Sequence, residues 1–461
     1  MPGGYGVHWL TLVVPAAARR FRVTHPTVAA ALADAGAELV ERGPDVEISP
    51  ASELQGAAAV AVVSVESPLH DGALPLLARA VRRIALSIRA RAAATRAARA
   101  LARRGYRASV LPWDLAQSVQ VAPVETSVPA ARRRLPERFP QCFLAVGRRG
   151  TPGPSVLEAV LASASESAGR SLRARSASVR AGFVLVRGDD WVLRVAIGPT
   201  RGQLHGHVRV LTALGRLPAP PEVVARVPTL LGAGRHGLAD WLLEELLPGS
   251  PPRVPFPGPL LDECVDYLVA LHTVPGSEVE AQPLGPAAEV VGACSRSGQE
   301  SVARLLADRL ELALSEIRRG FAHGDFFPGN LLAEGGRLVG VVDWDAGGQG
   351  RLPLVDLLHL RLHLTDPPAD HEWGPAIVRR LLPWARRGGD PLACEYLRRI
   401  GVEPHPRTLE ALVVTYWLER TAYQLQTHAI RQAQPRWLAA NVDGVLDALS
   451  GSPLLAPGRS R

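Results

Sequence analysis

Within Phe321–Asp356, reading FAHGDFFPGNLLAEGGRLVGVVDWDAGGQGRLPLVD, three side chains are of types that hold metal ions and move protons: Asp325, Asn330 and Asp343. One carboxylate can take the proton of an acceptor hydroxyl. An amide oxygen and a second carboxylate supply hard oxygen ligands for Mg2+. That set suits phosphoryl transfer. Asp325 and Asn330 share a segment broken by Gly324, Pro328 and Gly329, which exclude a continuing helix and let a loop aim both side chains into one space. Next come Leu331-Leu332, a Glu334-Gly-Gly turn and the apolar run Leu338–Val342. This pattern predicts a β-hairpin that delivers Asp343 at the end of its second strand, beside the loop.

The Asp-x-x-x-x-Asn spacing equals that of the protein-kinase catalytic loop, and Asp343 falls where a metal-binding Asp would follow. In wording the stretch resembles the aminoglycoside phosphotransferase and choline-kinase-like family more closely. His323-Gly324-Asp325, Pro328-Gly329-Asn330, Asp343-Trp344 and Pro353-x-x-Asp356 all match its usual pattern. The resemblance covers about 170–450. It implies an α+β bilobal protein-kinase-like fold with a small β-rich lobe and a large helical lobe. It also implies Asp325 as catalytic base, Asn330 and Asp343 as Mg2+ ligands, Asp356 as a brace for the loop, and ATP or GTP as co-substrate. The acceptor would be a hydroxyl of a small molecule. His323 reads as a packed orienter of the loop, with a general-base role as the alternative.

Upstream, Gly182–Val186 and Trp191–Ala196 read as strands joined by a turn at Arg187–Asp190, followed by a helix at Gln203–Leu214. Trp241–Glu245 running into Leu246-Leu-Pro-Gly249 resembles the family's strand-into-hinge segment, so Glu245, Leu246 and Leu247 are the expected contacts of the nucleotide base. Here the chain departs from the family. Position 194, where a phosphate-binding lysine belongs, is Arg194, and His207 stands where its glutamate partner belongs. A planar guanidinium keeps the charge without reproducing a compact ammonium. These two residues motivate the alternative of a pseudokinase, a nucleotide-binding or scaffolding module. The chain holds no lysine, all 52 of its basic residues being arginine. In such a chain Arg194 can be a tolerated replacement. Arg180-Ala-Gly182 is the nearest candidate for a phosphate loop and is poor in glycine.

The elements that must position this site occupy part of a chain of 461 residues, about three domains' worth. The boundaries read as an α/β domain of unknown function over 1–150, a connector over 151–170, the small lobe over 171–250, the large lobe over 251–450 and a frayed tail beyond. In 1–150, strand candidates at Trp9–Val14, Asp45–Ile48, Ala58–Val65 and Arg107–Leu111 alternate with helical patterns at Pro26–Arg42 and Ala73–Arg104. That alternation predicts a parallel, Rossmann-like sheet. No Gly-x-Gly-x-x-Gly follows any of these strands, which argues against a dinucleotide loop. Ten arginines and no acid lie between Arg79 and Arg107. The run reads as a solvated helix face or as a contact for an acidic partner. Without interleaved aromatics it does not suit nucleic acid.

Large-lobe helices are expected at Leu260–His272, Ser301–Arg318, Val355–Leu364, Trp373–Arg386, Leu392–Ile400 and Thr408–Arg431, with His272 capping the end of the first. Asp366, Asp370, Glu372, Glu395 and Glu419 could meet a cationic acceptor or simply face solvent. Apolar runs fall short of a membrane span, no basic segment precedes Val7–Ala18, and the four cysteines show no metal or redox spacing. A cytoplasmic protein with reduced thiols is the expectation.

Overall fold

A computed structural model describes residues 15–48 (without 25 and 43), 60–65, 91–113 (without 105), 142–148, 153–180, 183–278, 283–296, 299–365, 372–427, 431–432, 434–452 and 454–455. The chain divides into two compact units: Met1–Leu204 with Leu230–Leu246, and His205–Thr229 with Leu247–Arg461.

The first unit holds two sheets. Strands β1 (Arg20–Val23), β2 (Glu38–Leu39), β3 (Val46–Ile48), β4 (Val60–Val65), β5 (Arg107–Trp113) and β6 (Cys142–Arg148) run in the order β2-β1-β3-β4-β6-β5. The first four pair in parallel, with helix α1 (Pro26–Asp34) crossing from β1 to β2. β6 runs antiparallel to both β4 and β5. The sheet is therefore mixed, and the parallel Rossmann-like expectation fails at this edge. The reason lies in Cys142–Arg148: its apolar run is framed by Arg and Pro, which reads as connector but supplies the strand separating β4 from β5. Pro112, read as a breaker, lies inside β5, where an edge strand has a side that needs no N–H. Trp9–Val14 and most of the Arg-rich run lie outside the described residues. Residues 91–103 are helical, with Ala94, Ala97 and Leu101 buried and Arg91, Arg96, Arg99 and Arg103 exposed.

The second sheet has the order β10-β11-β9-β8-β7, formed by β7 (Ser176–Arg180), β8 (Phe183–Arg187), β9 (Trp191–Ala196), β10 (Leu230–His236) and β11 (Ala239–Glu245). All its pairings are antiparallel. The turn at Arg187–Asp190 is closed by the Gly188 N–H donating to Trp191 O at 2.9 Å. The candidate phosphate loop, 181–182, falls outside the described residues.

Both sheets share one core. Phe21, Leu32 and Val46 pack into the same buried cluster as Val184, Leu193, Val195 and Leu243. Helix α2 (Val156–Ser167) joins it through Val156, Val160 and Ala164. A capping box starts α2: Ser155 Oγ accepts from the Glu158 N–H, and Glu158 accepts the Ser155 N–H at 2.7 Å. Arg201, at the start of helix α3 (Arg201–Arg216), donates to Asp240 Oδ2 on β11 at 2.6 Å and to Asp34 O on α1 at 3.0 Å.

The second unit is mainly helical. Helices α4 (Gly258–His272), α5 (Glu300–Ala313), α6 (Val355–Thr365), α7 (Pro391–Arg399) and α8 (Pro406–Thr427) occur where periodicity places them, within a few residues. Trp373–Arg386 is one helical run that passes through a π turn at Ile377–Leu381. A helix at Gly285–Ala293 and short turns over Pro435–Leu449 add to the expected set. Strands β13 (Leu331–Glu334) and β14 (Arg337–Val341) form the expected hairpin, turning on Gly335 and Gly336, both at positive φ. β12 (Gly320–Ala322) pairs with β15 (Gly348–Arg351). Ser452, assigned to a frayed tail, is instead buried, its hydroxyl donating to Glu410 Oε1 at 3.0 Å. Among the described residues, no helix is long and apolar enough to cross a membrane.

Candidate active site

The loop after β12 is held by Asp356. Its carboxylate, at the start of α6, accepts the N–H groups of His323 and Gly324, each at 2.7 Å. Burial pushes the Asp356 carboxyl above its usual range, against the opposing pull of His323 and these two amides. Gly324 has φ +80°, and a Cβ there would stand 2.2 Å from Ala346 O. Only glycine lets the two loops approach this closely.

His323 is fully buried and fixed from both sides of its ring. Nδ1 accepts the Asp325 N–H at 3.2 Å, and Nε2 donates to Val342 O at 3.1 Å. Trp344 meets its ring edge-on at a centroid distance of 4.5 Å. Burial lowers its pKa despite the neighbouring carboxylates. With both nitrogens engaged, His323 orients the loop and has no nitrogen to offer an acceptor hydroxyl.

Asp325 and Asn330 come together as expected. The Asn330 amide Nδ2 donates to Asp325 Oδ2 at 2.9 Å and to Asp325 O at 3.0 Å. The strand end is tied to the same loop, because Val342 N–H donates to Asn330 O at 2.9 Å. Asp343 follows directly, at φ +70°, a left-handed conformation that Asp tolerates better than most residues.

Two further side chains close on Asp325. Arg420 of α8 places its guanidinium 2.6 Å from Oδ1, and His359 of α6 places Nε2 3.1 Å from the same oxygen. Burial alone would raise the Asp325 carboxyl. Arg420 and His359 outweigh it and hold the group well below the usual carboxylate range. The neutral His359 ring, its proton on Nε2, accepts the Tyr416 hydroxyl at Nδ1 at 2.7 Å, and burial lowers its pKa to about 3. Asp345 lies beside Asp343 and hydrogen-bonds the Tyr423 hydroxyl at 2.7 Å. Burial and the Asp343 charge push it up to about 7. His207, buried on α3, lies in the field of Asp345, and Gly206 packs against Asp345 O.

In the first unit, Arg194 of β9 donates from Nε to Glu244 Oε1 on β11 at 2.8 Å. Arg194 pairs in register with Leu242, so Glu244 lies two residues along the same face. The carboxylate that serves Arg194 thus comes from the neighbouring strand. Glu245 is exposed, Leu246 is half-buried, and Leu247, in the second unit, is buried. The Leu246 N–H donates to Asp190 O at 3.1 Å, so this amide extends the β9–β11 ladder.

Four of these residues escape a reading of the motifs alone: Arg420, His359, Glu244 and Asp345. A signal existed for two. Arg420 follows Val413, Tyr416 and Trp417 at helical spacing, on the apolar face of α8, and His359 lies one turn after Asp356 on α6. Of the acids proposed for a cationic acceptor, Glu419 pairs with Arg351 at 2.9 Å and Glu395 lies near Arg398 on the surface. Asp366 and Asp370 fall outside the described residues. His272, expected as a helix-end cap, is buried with Nε2 3.4 Å from Arg318 O.

The residues present suit Mg2+. Asn330 commits Nδ2 to Asp325, which leaves its oxygen side for a cation, and Asp343 adds a hard carboxylate. Among the described residues there is no cluster of three or more His, Cys, Asp or Glu arranged around a metal.

Residues 172–392 match the model of the phosphotransferase enzyme family, APH. Solved structures similar to the chain include aminoglycoside phosphotransferase APH(3'')-Id from Streptomyces rimosus, at 14% identity and a TM-score of 0.35, covering 52% of this chain and 91% of that one. A thermostable mutant of aminoglycoside phosphotransferase APH(4)-Ia, in complex with ADP and hygromycin B, gives 15% identity and a TM-score of 0.38, over 60% of this chain and 90% of that one. APH(2'')-IIa with streptomycin and ATP gives 10% and 0.38, over 58% and 89%. All three TM-scores are below 0.5. No curated protein matches the chain.

Proposed function

We propose that this protein is a Mg2+-dependent small-molecule kinase, transferring the γ-phosphate of ATP or GTP to a hydroxyl. The observation that carries this reading is the catalytic-loop geometry. Asp325 is ionised and oriented by the Asn330 amide, its loop is clamped by Asp356, and Asp343 is tied to it through Val342. Asn330 and Asp343 would hold the metal, which neutralises charge on the phosphates when bound. Asp325 accepts the acceptor's O–H proton as that oxygen bonds to the γ-phosphorus and the bond to the leaving nucleoside diphosphate breaks. Catalysis is then largely positioning and charge neutralisation. The Glu244 carboxylate supports a functional Arg194 in place of the usual lysine.

A nucleotide-binding pseudokinase is the second reading, favoured by Arg194 itself. Thermal unfolding with ATP or GTP, in Mg2+ or EDTA, separates the two. Nucleotide at a hundred times its Kd adds about 2.7 kcal/mol to the binding-competent state. A shift that needs Mg2+ and vanishes in Asp343→Ala supports the kinase, as does turnover lost by orders of magnitude in Asp325→Asn. A shift indifferent to metal supports the pseudokinase. Turnover that survives Asp325→Asn nearly intact removes Asp325 from the chemistry.

A further inference from the structure

Within the second unit, the two oxygens of Asp325 meet different surroundings. Oδ1 is buried, while the side chain as a whole stays 19% exposed. Arg420 and His359 both stand on the Oδ1 side, at 2.6 and 3.1 Å. Oδ2 receives the Asn330 amide at 2.9 Å. An ionised carboxylate accepts about four hydrogen bonds, shared between its oxygens. Oδ1 is therefore filled from behind, and Oδ2 keeps a lone pair for a ligand.

Arg420 keeps the carboxylate ionised, but a guanidinium attracts either oxygen and does not by itself fix the rotation of the group. His359 is better suited to that. Its ring is buried, with the Trp373 and Phe327 ring centroids at 5.1 and 5.9 Å. Because a carboxylate only accepts, Nε2 carries the ring's proton, and Nδ1 keeps its lone pair for the Tyr416 O–H. Burial and the Arg420 charge keep the ring neutral. His359 thus directs Asp325 without setting a second cation beside Arg420. Aim matters here, since a misplacement of about 1 Å can cost about 100-fold in rate.

We propose that Oδ2 of Asp325 is the atom that meets the acceptor's hydroxyl, and that His359, steadied by Tyr416, is the positioning residue that turns it there. This rests on the kinase reading above. As the acceptor oxygen bonds to the γ-phosphorus and the bond to the leaving diphosphate breaks, the acceptor's proton passes to Oδ2. His359 keeps its own proton on Nε2 throughout. The test uses the full chain with Mg-ATP and water as the acceptor, read by single-turnover phosphate release. Nitrogen NMR of protein labelled at histidine reads the ring directly.

His359→Leu keeps bulk but no donor, and it should slow phosphate release roughly 10–100-fold, the loss of one hydrogen bond to a charged group, with Mg-ATP affinity unchanged. His359→Gln returns an N–H near the place of Nε2 and should recover most of that rate. Tyr416→Phe should slow the wild-type chain roughly 3–10-fold and should slow His359→Leu no further, because it acts through the ring. If His359→Leu does not fold, Tyr416→Phe, which loses a single oxygen, carries the test. The His359 signals, identified by their loss in His359→Gln, should show a neutral ring protonated on Nε2, with Nδ1 shifting in Tyr416→Phe. A ring protonated on Nδ1 overturns the inference and leaves the kinase standing. So does a wild-type rate in His359→Leu, or in Tyr416→Phe where that variant carries the test. Absence of Mg-ATP binding in the wild-type chain sinks the kinase reading, and the positioning role with it. Where Mg-ATP binds but water is not phosphorylated, the NMR tautomer decides.

Discussion

Replacing Arg420 with Met should be among the most damaging single changes in the second unit. The guanidinium lies 2.6 Å from Asp325 Oδ1, and the two side chains are only 9% and 19% exposed. It also lies over the rings of Trp373 and Tyr423, at 5.3 and 5.4 Å from their centroids. Arg420→Met keeps much of the stem's packing but leaves an ionised carboxylate in a low-dielectric site, served only by His359 and Asn330. Removing one partner of a buried pair costs about 3–5 kcal/mol. At about 2–4 °C per kcal/mol for a unit of this size, Tm should fall by roughly 6–20 °C. The double variant Arg420→Met/Asp325→Asn removes both charges, so it should be more stable than the two single losses added together, by about 1.5 kcal/mol or more. Urea unfolding of the four proteins completes the cycle. A loss below about 1 kcal/mol in Arg420→Met, or strict additivity in the double variant, would refute the argument that this ion pair holds Asp325 in place.

Other consequences are equally specific. Gly324→Ala forces a side chain into φ +80° and against Ala346 O at 2.2 Å; it should cost about 2 kcal/mol or more and abolish turnover, as read by melting and ADP release. Glu244→Gln withdraws the carboxylate from Arg194, and Mg-nucleotide Kd should rise about tenfold, equal to about 1.4 kcal/mol, in a calorimetric titration. Burial lowers His272 to about 4 from an ordinary value of 6.5. The unfolded chain therefore takes up a proton below about pH 6.5 that the folded chain refuses. Its contribution should be flat above that pH and should reduce stability by up to about 3 kcal/mol as pH falls to about 4. His272→Gln should flatten this part of the pH–stability curve, and an unaltered acid limb would show that His272 is not responsible.

Local rules carried the catalytic loop a long way. Gly324, Pro328 and Gly329 forbid a helix, the double glycine turns a hairpin, and alternation within β14 carries the chain to Asp343, so these residues were legible without coordinates. The helices of the second unit were legible for the same reason, because burial of one face imposes its period on the chain. The N-terminal sheet was harder. β1 is four residues long with two arginines, and β6 sits among Arg and Pro, so their local signals are weak and their strand character depends on pairing partners distant in the chain.

Which charges meet was a tertiary matter. Sequence placed an arginine at 194 and removed the acid expected at 207, and on that basis Arg194 lacked a counter-ion. The register of β9 against β11 supplies Glu244 instead, and no spacing rule within one strand contains that register. Arg420 stands 95 residues after Asp325, and its role follows from the docking of α8 against the catalytic loop. Sequence by itself determined which groups could do chemistry and which turns present them, because turn geometry and helical period are local. Only the tertiary structure decided the partners that set their charge, because electrostatic strength depends on distance and burial, and neither is a property of chain position.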